Sequence, residues 1–297
     1  MNLIAFDIGG TQIKYGIVNA DGEVLLAQLC DTPKLAGGAG LIQRLIELAT
    51  PLISKYAAQG IAISSFGLID AKAGVVLGAA EAVEGYAGTQ VKVALEAALK
   101  LPVAIDNDVN CVAIAEGWRG AAQGISNYIA VAIGTGIGGG VVINNQIYRG
   151  HRAAAGEWGY MQIDGLVWED YASMRGLQQA ASHLAGTEPL DGRAIFALYD
   201  QGDAAIAAVV DNWFKLLATG LANLIYAINP ERLVIGGGIT ARGEAFLHQL
   251  QQAVDAAVLP DFKNMTEIVL ASAGNHAGMI GASKNWLNCY GTNGTAV

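Results

Sequence analysis

With 297 residues the chain is too long for one small core, so two domains are expected. Hydrophobic residues make up 53% of it and charged residues 14%, which excludes a disordered chain and favours extensive buried surface. The net charge of −9 excludes a general nucleic-acid surface but leaves a nucleotide site open, since a few local donors and a metal suffice for one.

The chain opens with two apolar runs of strand length, Leu3–Phe6 and Ile13–Val18, around the turn Gly9-Gly10-Thr11. They read as a hairpin. Paired glycines let backbone N–H groups approach an anion, Thr11 adds a hydroxyl, and Asp7 at the strand end suits a divalent cation, directly or through water. A phosphate-and-magnesium cradle and an ordinary Gly-Gly hairpin with a surface Asp both fit this stretch. Glu23–Leu29 continues as a third strand, and 31–40 is loop. Leu41–Ala58 carries apolar residues at helical spacing. Gly60–Ser64 is a buried strand followed by the loop Ser65–Asp70. Gly88–Leu99 reads as a helix, Val103–Ile105 as a strand delivering Asp106-Asn107-Asp108, and Cys111–Arg119 as the next helix. Meander, helix, strand, helix, strand is a mixed α/β order.

The pattern then restarts. Tyr128–Asn144 is again strand, glycine turn (Gly134-Thr135-Gly136) and strand, about 125 residues on, the mark of an internal repeat. Residues 170–199 look helical with a break near 186–192. Asp203–Ile228 is a long helical pattern stopped by Asn229-Pro230. Arg232–Ile235 is a strand leading into Gly236-Gly237-Gly238; Glu244–Val258 is a helix, Glu267–Ala271 a strand and Met279–Leu287 a last helix, with a loose tail expected from Asn288. No apolar stretch of membrane-spanning length escapes a charge or a glycine-rich turn. Cys30, Cys111 and Cys289 have neither zinc nor disulfide spacing, and Leu3–Phe6 is too short for a signal peptide, so a reducing cytoplasm is the expected home.

A carboxylate at the end of a buried strand sits where open α/β sheets gather their sites. Asp108 there suits a base that takes a proton from an alcohol as the oxygen attacks phosphorus. Capping of the next helix is the competing reading, for which Asp108 or Asn110 would serve. Gly156-Glu157-Trp158-Gly159-Tyr160 follows a basic loop, Arg149–Arg152, and Glu157 suits sugar hydroxyls. Glu169 is a second acceptor or an acid in a first helical turn. The triple glycine at 236–238 allows close approach of an adenosine or its phosphates.

On Asp7–Thr11, Asn107-Asp108, Ile133–Gly140, Gly156-Glu157 and Gly236–Ile239, in that order, the chain resembles the ROK family of sugar kinases, within the actin, hexokinase and heat-shock ATPase superfamily. The resemblance implies two RNase-H-like (actin-like ATPase) α/β domains with an interdomain cleft, here 1–118 and 119–297, with the C-terminal helix at about 279–290 packing back on the first. It implies ATP and Mg²⁺, transfer to a sugar 6-hydroxyl, and a homodimer. It makes Asp108 the base and Asn107, Gly67, Glu157, Tyr160 and Glu169 sugar-binding. It places Asp7, Gly9, Gly10, Thr11, Lys14, Gly134, Thr135, Gly136, Gly237 and Gly238 around the nucleotide. Most members carry a His where Tyr160 stands, then a cysteine-rich zinc loop; 161–175 holds no Cys, so no zinc is expected. Ala155–Met161 and Asn275–Gly281 look like the zinc-free branch with bacterial β-glucoside kinases, acting on cellobiose-like sugars; a zinc-free glucokinase or N-acetylmannosamine kinase would look much the same. Sugar-responsive repressors of the family carry an N-terminal helix-turn-helix, for which a hairpin starting at residue 3 leaves no room. A domain-moving ATPase without a sugar acceptor is the third alternative.

Overall fold

The computed structural model describes residues 1–78, 82–185 and 190–291. In chain order, β1 (Asn2–Ile8), β2 (Gln12–Asn19) and β3 (Val24–Asp31) form a meander, and α1 (Gly37–Tyr56) leads into β4 (Ala58–Ser65). The short strands β5 (Leu68–Asp70) and β6 (Val75–Gly78) precede α2 (Val91–Leu99), β7 (Val103–Asn107) and α3 (Asp108–Arg119). A second meander follows, β8 (Tyr128–Ile133), β9 (Ile137–Ile143) and β10 (Gln146–Tyr148), then the small hairpin β11 (Gln162–Ile163) and β12 (Leu166–Val167). Next come α4 (Trp168–Ala172), α5 (Met174–Ala185), α6 (Gly192–Asp200) and α7 (Ala204–Ile228). The chain ends with β13 (Arg232–Gly236), α8 (Glu244–Ala257), β14 (Glu267–Leu270) and α9 (Ala277–Tyr290).

The two sheets run β3-β2-β1-β4-β7 and β10-β9-β8-β13-β14. In each, an antiparallel meander is extended by two parallel strands. The repeat seen in the hairpins therefore extends to whole sheets, and the mixed α/β expectation holds.

The chain packs as two units, one formed by Met1–Gly124, Ile147–Ala155 and the chain from Ser272, the other by Ile125–Gln146 and Gly156–Ala271. The first unit thus runs to Gly124 rather than 118. The turn after α3 stays with it because Glu116, fully buried near the end of that helix, accepts the N–H of Ala121 at 2.7 Å while Ala122 N bonds back to its carbonyl.

Strand alternation decides what covers each face of the first sheet. Ile4, Phe6 and Ile8 point into a core with Leu41 and Leu45 of α1 and Val91 and Leu95 of α2. Leu3 and Ala5 point the other way, where Ala62, Ala104 and Cys111 are small enough for α3 and α9 to lie close. Trp286 of α9 donates its indole N–H to Pro102 O at 2.9 Å. The second unit closes over Trp168, Trp213, Phe214 and Phe246. Its helix α7 is long and apolar enough by composition to cross a membrane, but Val210, Trp213, Leu217, Leu221 and Ile225 are spent on this core.

Local chemistry explains where element bounds depart from expectation. α1 starts at Gly37, not Leu41, because Gly38 packs under the 85–89 turn, where a Cβ would lie 2.4 Å from Thr89 Oγ1. α2 starts later than Gly88, which turns the chain at φ +84°. The unexpected β5–β6 hairpin is nucleated by Asp70, whose Oδ1 accepts from Lys72 N and Ala73 N. The tail expected from Asn288 is instead helical to Tyr290, the end of α9; its remainder from 292, and the part of the expected break at 186–189, lie outside the described residues.

The α3–α9 crossing is tightest at Gly281, where an added Cβ would meet Cys111 O at 1.7 Å. Gly281→Ala is expected to lose about 1–3 kcal/mol of stability by overpacking. Gly238→Ala, with nothing within 4 Å of the added carbon, is expected to lose little. Urea denaturation of both variants checks this, and equal midpoints would contradict it.

Candidate active site

In the first unit the parallel strands end flush. Asp7 pairs in register with Ser64 and Ser64 with Asp106, so the loops after β1, β4 and β7 leave one end of the sheet together. Asp7 lies on the α9 face. Its Oδ1 accepts Ser64 Oγ–H at 2.8 Å, and Lys14, its cross-strand partner, brings Nζ to 3.6 Å from Oδ2. Lys14 also donates to Asn275 O at 2.9 Å. Gly278 opens α9 against this carboxylate; a Cβ there would be 2.4 Å from it.

The β1–β2 turn is pinned from outside. Gly9 N donates to Gln12 O, Thr32 Oγ1 to Gly9 O at 2.7 Å and Thr32 N to Thr11 O. Among the described residues the N–H groups of Gly10 and Thr11 donate to no carbonyl, which leaves them for an anion. Lys34 Nζ reaches Thr11 Oγ1 at 3.5 Å and adds an exposed cation that the sequence reading missed.

At the end of β7, Asn107 caps α3. Its Oδ1 accepts from Val109 N and Asn110 N, and its Nδ2 donates to Gly67 O at 3.0 Å. The cap is thus neither Asp108 nor Asn110, and α3 starts at Asp108 rather than Cys111. Gly67 meets Asn107 because it turns at φ +94°. Asp108 stands at the first helical position, where a helix favours negative charge, and its Oδ1 accepts Val109 N–H at 3.0 Å. The loop before Gly67 is stiffened by Ser65 Oγ, 2.8 Å from the buried Tyr86 hydroxyl, which burial pushes up to about 12.

In the second unit the turn Gly134–Gly136 follows β8 and Gly236–Gly238 follows β13, with Ala132 and Gly236 in register. Gly237 turns at φ +101°, close enough to Ile133 that a Cβ would be 2.1 Å from its carbonyl oxygen, whereas Gly238 faces open space. Met174 N donates to Gly134 O, and the Glu169 carboxylate accepts Ile137 N–H at 3.0 Å. Glu169 therefore braces the Gly134–Gly136 turn through one oxygen, while its other oxygen lies 3.9 Å from Arg175.

Glu157 is half-buried, and burial, then the Glu169 charge, holds its carboxyl above the usual range. Tyr160, at 65% exposure, has its hydroxyl raised by burial and by the same two carboxylates, so all three groups share one electrostatic neighbourhood. Their loop is braced by backbone contact. Gly156, at φ +96°, presses on Gly139, the Trp158 indole covers Gly139, and Trp168 N ties the loop's far side at Met161 O, 2.8 Å away. That arrangement answers how the loop is held where no cysteines stand. Among the described residues no three His, Cys, Asp or Glu gather in metal-ligand array. Asp7, a single accessible carboxylate beside free turn N–H groups, fits a Mg²⁺ that takes its remaining oxygens from phosphates and water.

A family model described as the ROK family matches residues 3–288. A β-glucoside kinase of Listeria monocytogenes is 35% identical over 97% of this chain and 98% of its own length. The ROK hexokinase of Thermus thermophilus superposes with a TM-score of 0.83 at 29% identity, covering 96% of this chain and 97% of that one. A ROK family glucokinase from Streptomyces griseus, in complex with glucose and AMPPNP, superposes with a TM-score of 0.81 at 27% identity over 96% of this chain and 98% of that one.

Because the folded chain disfavours charge on Glu157, its ionisation lowers stability. That loss is absent below the ordinary carboxylate range and complete once pH passes the raised value. Glu157→Gln is expected to melt above the parent at about pH 8 and level with it near about pH 4. A parent more stable than the variant at the higher pH would contradict the burial of this charge.

Proposed function

The chain belongs to the ROK family and is an ATP-dependent sugar kinase of actin-like ATPase fold; we propose that its acceptor is the 6-hydroxyl of a glucose unit, best that of a β-glucoside such as cellobiose. The observation that carries the reading is the flush end of the first sheet, which sets Asp7, the open turn at Gly10-Thr11 and the Asn107-Asp108 step side by side.

Asp108 takes the proton of the 6-hydroxyl as that oxygen attacks the γ-phosphorus; the bond to the β-bridging oxygen breaks and ADP leaves. Asn107, with its carbonyl oxygen spent on the cap, keeps an amide hydrogen for a neighbouring sugar hydroxyl. Glu157 accepts from further hydroxyls, with Tyr160 beside it, and Glu169 acts on the sugar through the oxygen not used on Ile137. The turn Gly9–Thr11, through the N–H groups of Gly10 and Thr11, and the turn Gly134–Gly136, through those of Thr135 and Gly136, hold phosphate oxygens together with Lys14, and Gly237-Gly238 lies against the adenosine. Asp7 would hold Mg²⁺, directly or through water, and the ion would supply neutralisation of phosphate charge. The β-glucoside choice is supported by the L. monocytogenes relative and by Tyr160, whose exposed ring offers a face to a second sugar. N-acetylmannosamine is the runner-up acceptor. A zinc-free protein, a homodimer and a cytoplasmic home complete the proposal.

Asp108→Asn is expected to fold and bind sugar but turn over at least about a hundredfold more slowly. An ADP-release assay over glucose, cellobiose, fructose and N-acetylmannosamine checks the acceptor: sugar-dependent release is expected, greatest with cellobiose or glucose. ATP hydrolysis indifferent to every sugar, or near-parental turnover of Asp108→Asn, would contradict the assignment. In the same panel Tyr160→Ala is expected to raise KM for cellobiose and to leave glucose nearly unchanged.

A further inference from the structure

Asp106 precedes the Asn107-Asp108 step and is 0% exposed. Its two oxygens do different jobs. Oδ1 accepts Asn107 N–H at 2.8 Å and Asn110 Nδ2–H at 3.1 Å, which fixes the turn from β7 into α3. Oδ2 receives Arg149, whose Nε and Nη2 close on it at 2.9 and 2.5 Å. The same guanidinium donates to Asn285 Oδ1 on α9 at 3.0 Å. Arg149 lies just past β10, in the segment Ile147–Ala155 that packs with the first unit. Its carbonyl accepts Ala155 N–H at 3.2 Å, at the residue before Gly156-Glu157.

We propose that Arg149 is a positioning residue for phosphoryl transfer: through its side chain it sets the base-bearing step at Asn107-Asp108, and through its carbonyl it sets the start of the Gly156-Glu157 turn. This rests on the kinase reading above. A buried carboxylate keeps its charge only when paired and hydrogen-bonded. With the guanidinium removed, Asp106 recruits other donors or a proton, and the hydrogen bonds that aim Asn107 and Asp108 shift with it. A base displaced by a fraction of a bond length loses rate without losing its chemistry. Arg149 reaches none of the turns that hold phosphate, so its effect falls on turnover and on sugar, not on ATP.

The test uses the full chain with glucose as the acceptor probe. Arg149→Gln is expected to lower kcat roughly tenfold to a hundredfold and to raise KM for glucose while KM for ATP stays within about twofold. Arg149→Lys recovers part of kcat, since one ammonium replaces a two-pronged contact. If Arg149→Gln does not fold, the pair Asp106→Asn with Arg149→Gln places two neutral amides in the same space. That double variant is expected to melt near the parent and still to be slow. A purely structural role would lower the melting temperature and leave the kinetic constants of the folded enzyme untouched. Either variant, folded and within about twofold of parental kcat and glucose KM, would overturn the proposal. A parent that releases no ADP with any sugar would instead overturn the kinase reading, which separates the two failures.

Discussion

The constraint behind the first unit is that three parallel strands stop at the same level. Parallel pairing slants every hydrogen bond alike, so once Asp7 stands opposite Ser64 and Ser64 opposite Asp106, the residues just beyond have no freedom to scatter. The Asp7 carboxylate, a glycine turn with open N–H groups and Asp108, the proposed base, are brought to one end of the sheet by one register. A slip of one residue would turn Asp7 into the α1–α2 core and Phe6 out of it, which the apolar alternation of β1 forbids.

Close approach is the second theme, and glycine supplies it. Gly281 lets α9 cross α3, Gly278 lets α9 begin on the Asp7 carboxylate, and Gly156 lies on Gly139. At Gly281 and Gly156 the space a Cβ would need is occupied by backbone, which cannot swing away, and at Gly278 by the Asp7 carboxylate. The Glu157 loop is thereby stiffened by van der Waals contact and a tryptophan, which suffices to hold two carboxylates near one another against their repulsion.

Much of this was legible in the chain. The strands were, because each is an apolar run bounded by glycines or Asx residues, and the repeat was, because Gly134-Thr135-Gly136 restates the opening turn in the same strand register. Less legible were contacts that join distant positions. Asp106 could be named as part of an acidic turn, but its partner Arg149 looked only like one charge of a basic loop, since nothing local links residues 43 apart. Asn107, expected as a sugar ligand, is the cap, because which of three neighbouring Asx residues adopts the extended conformation depends on where β7 stops pairing. Glu169 shows the same limit: a first-turn acid by sequence, it is drawn to Ile137 N–H by the fold of a loop that sequence periodicity does not describe.

The most direct test of the central claim, that Asp108 is the base facing a sugar 6-hydroxyl poised for phosphoryl transfer, is a crystal structure with glucose, Mg²⁺ and a non-hydrolysable ATP analogue bound together. The account predicts an Asp108 carboxylate oxygen about 3 Å from the 6-oxygen, with the γ-phosphorus in line beyond it and the phosphates on the N–H groups of the two glycine turns. A carboxylate turned away from the hydroxyl, or phosphates bound apart from both turns, would contradict it.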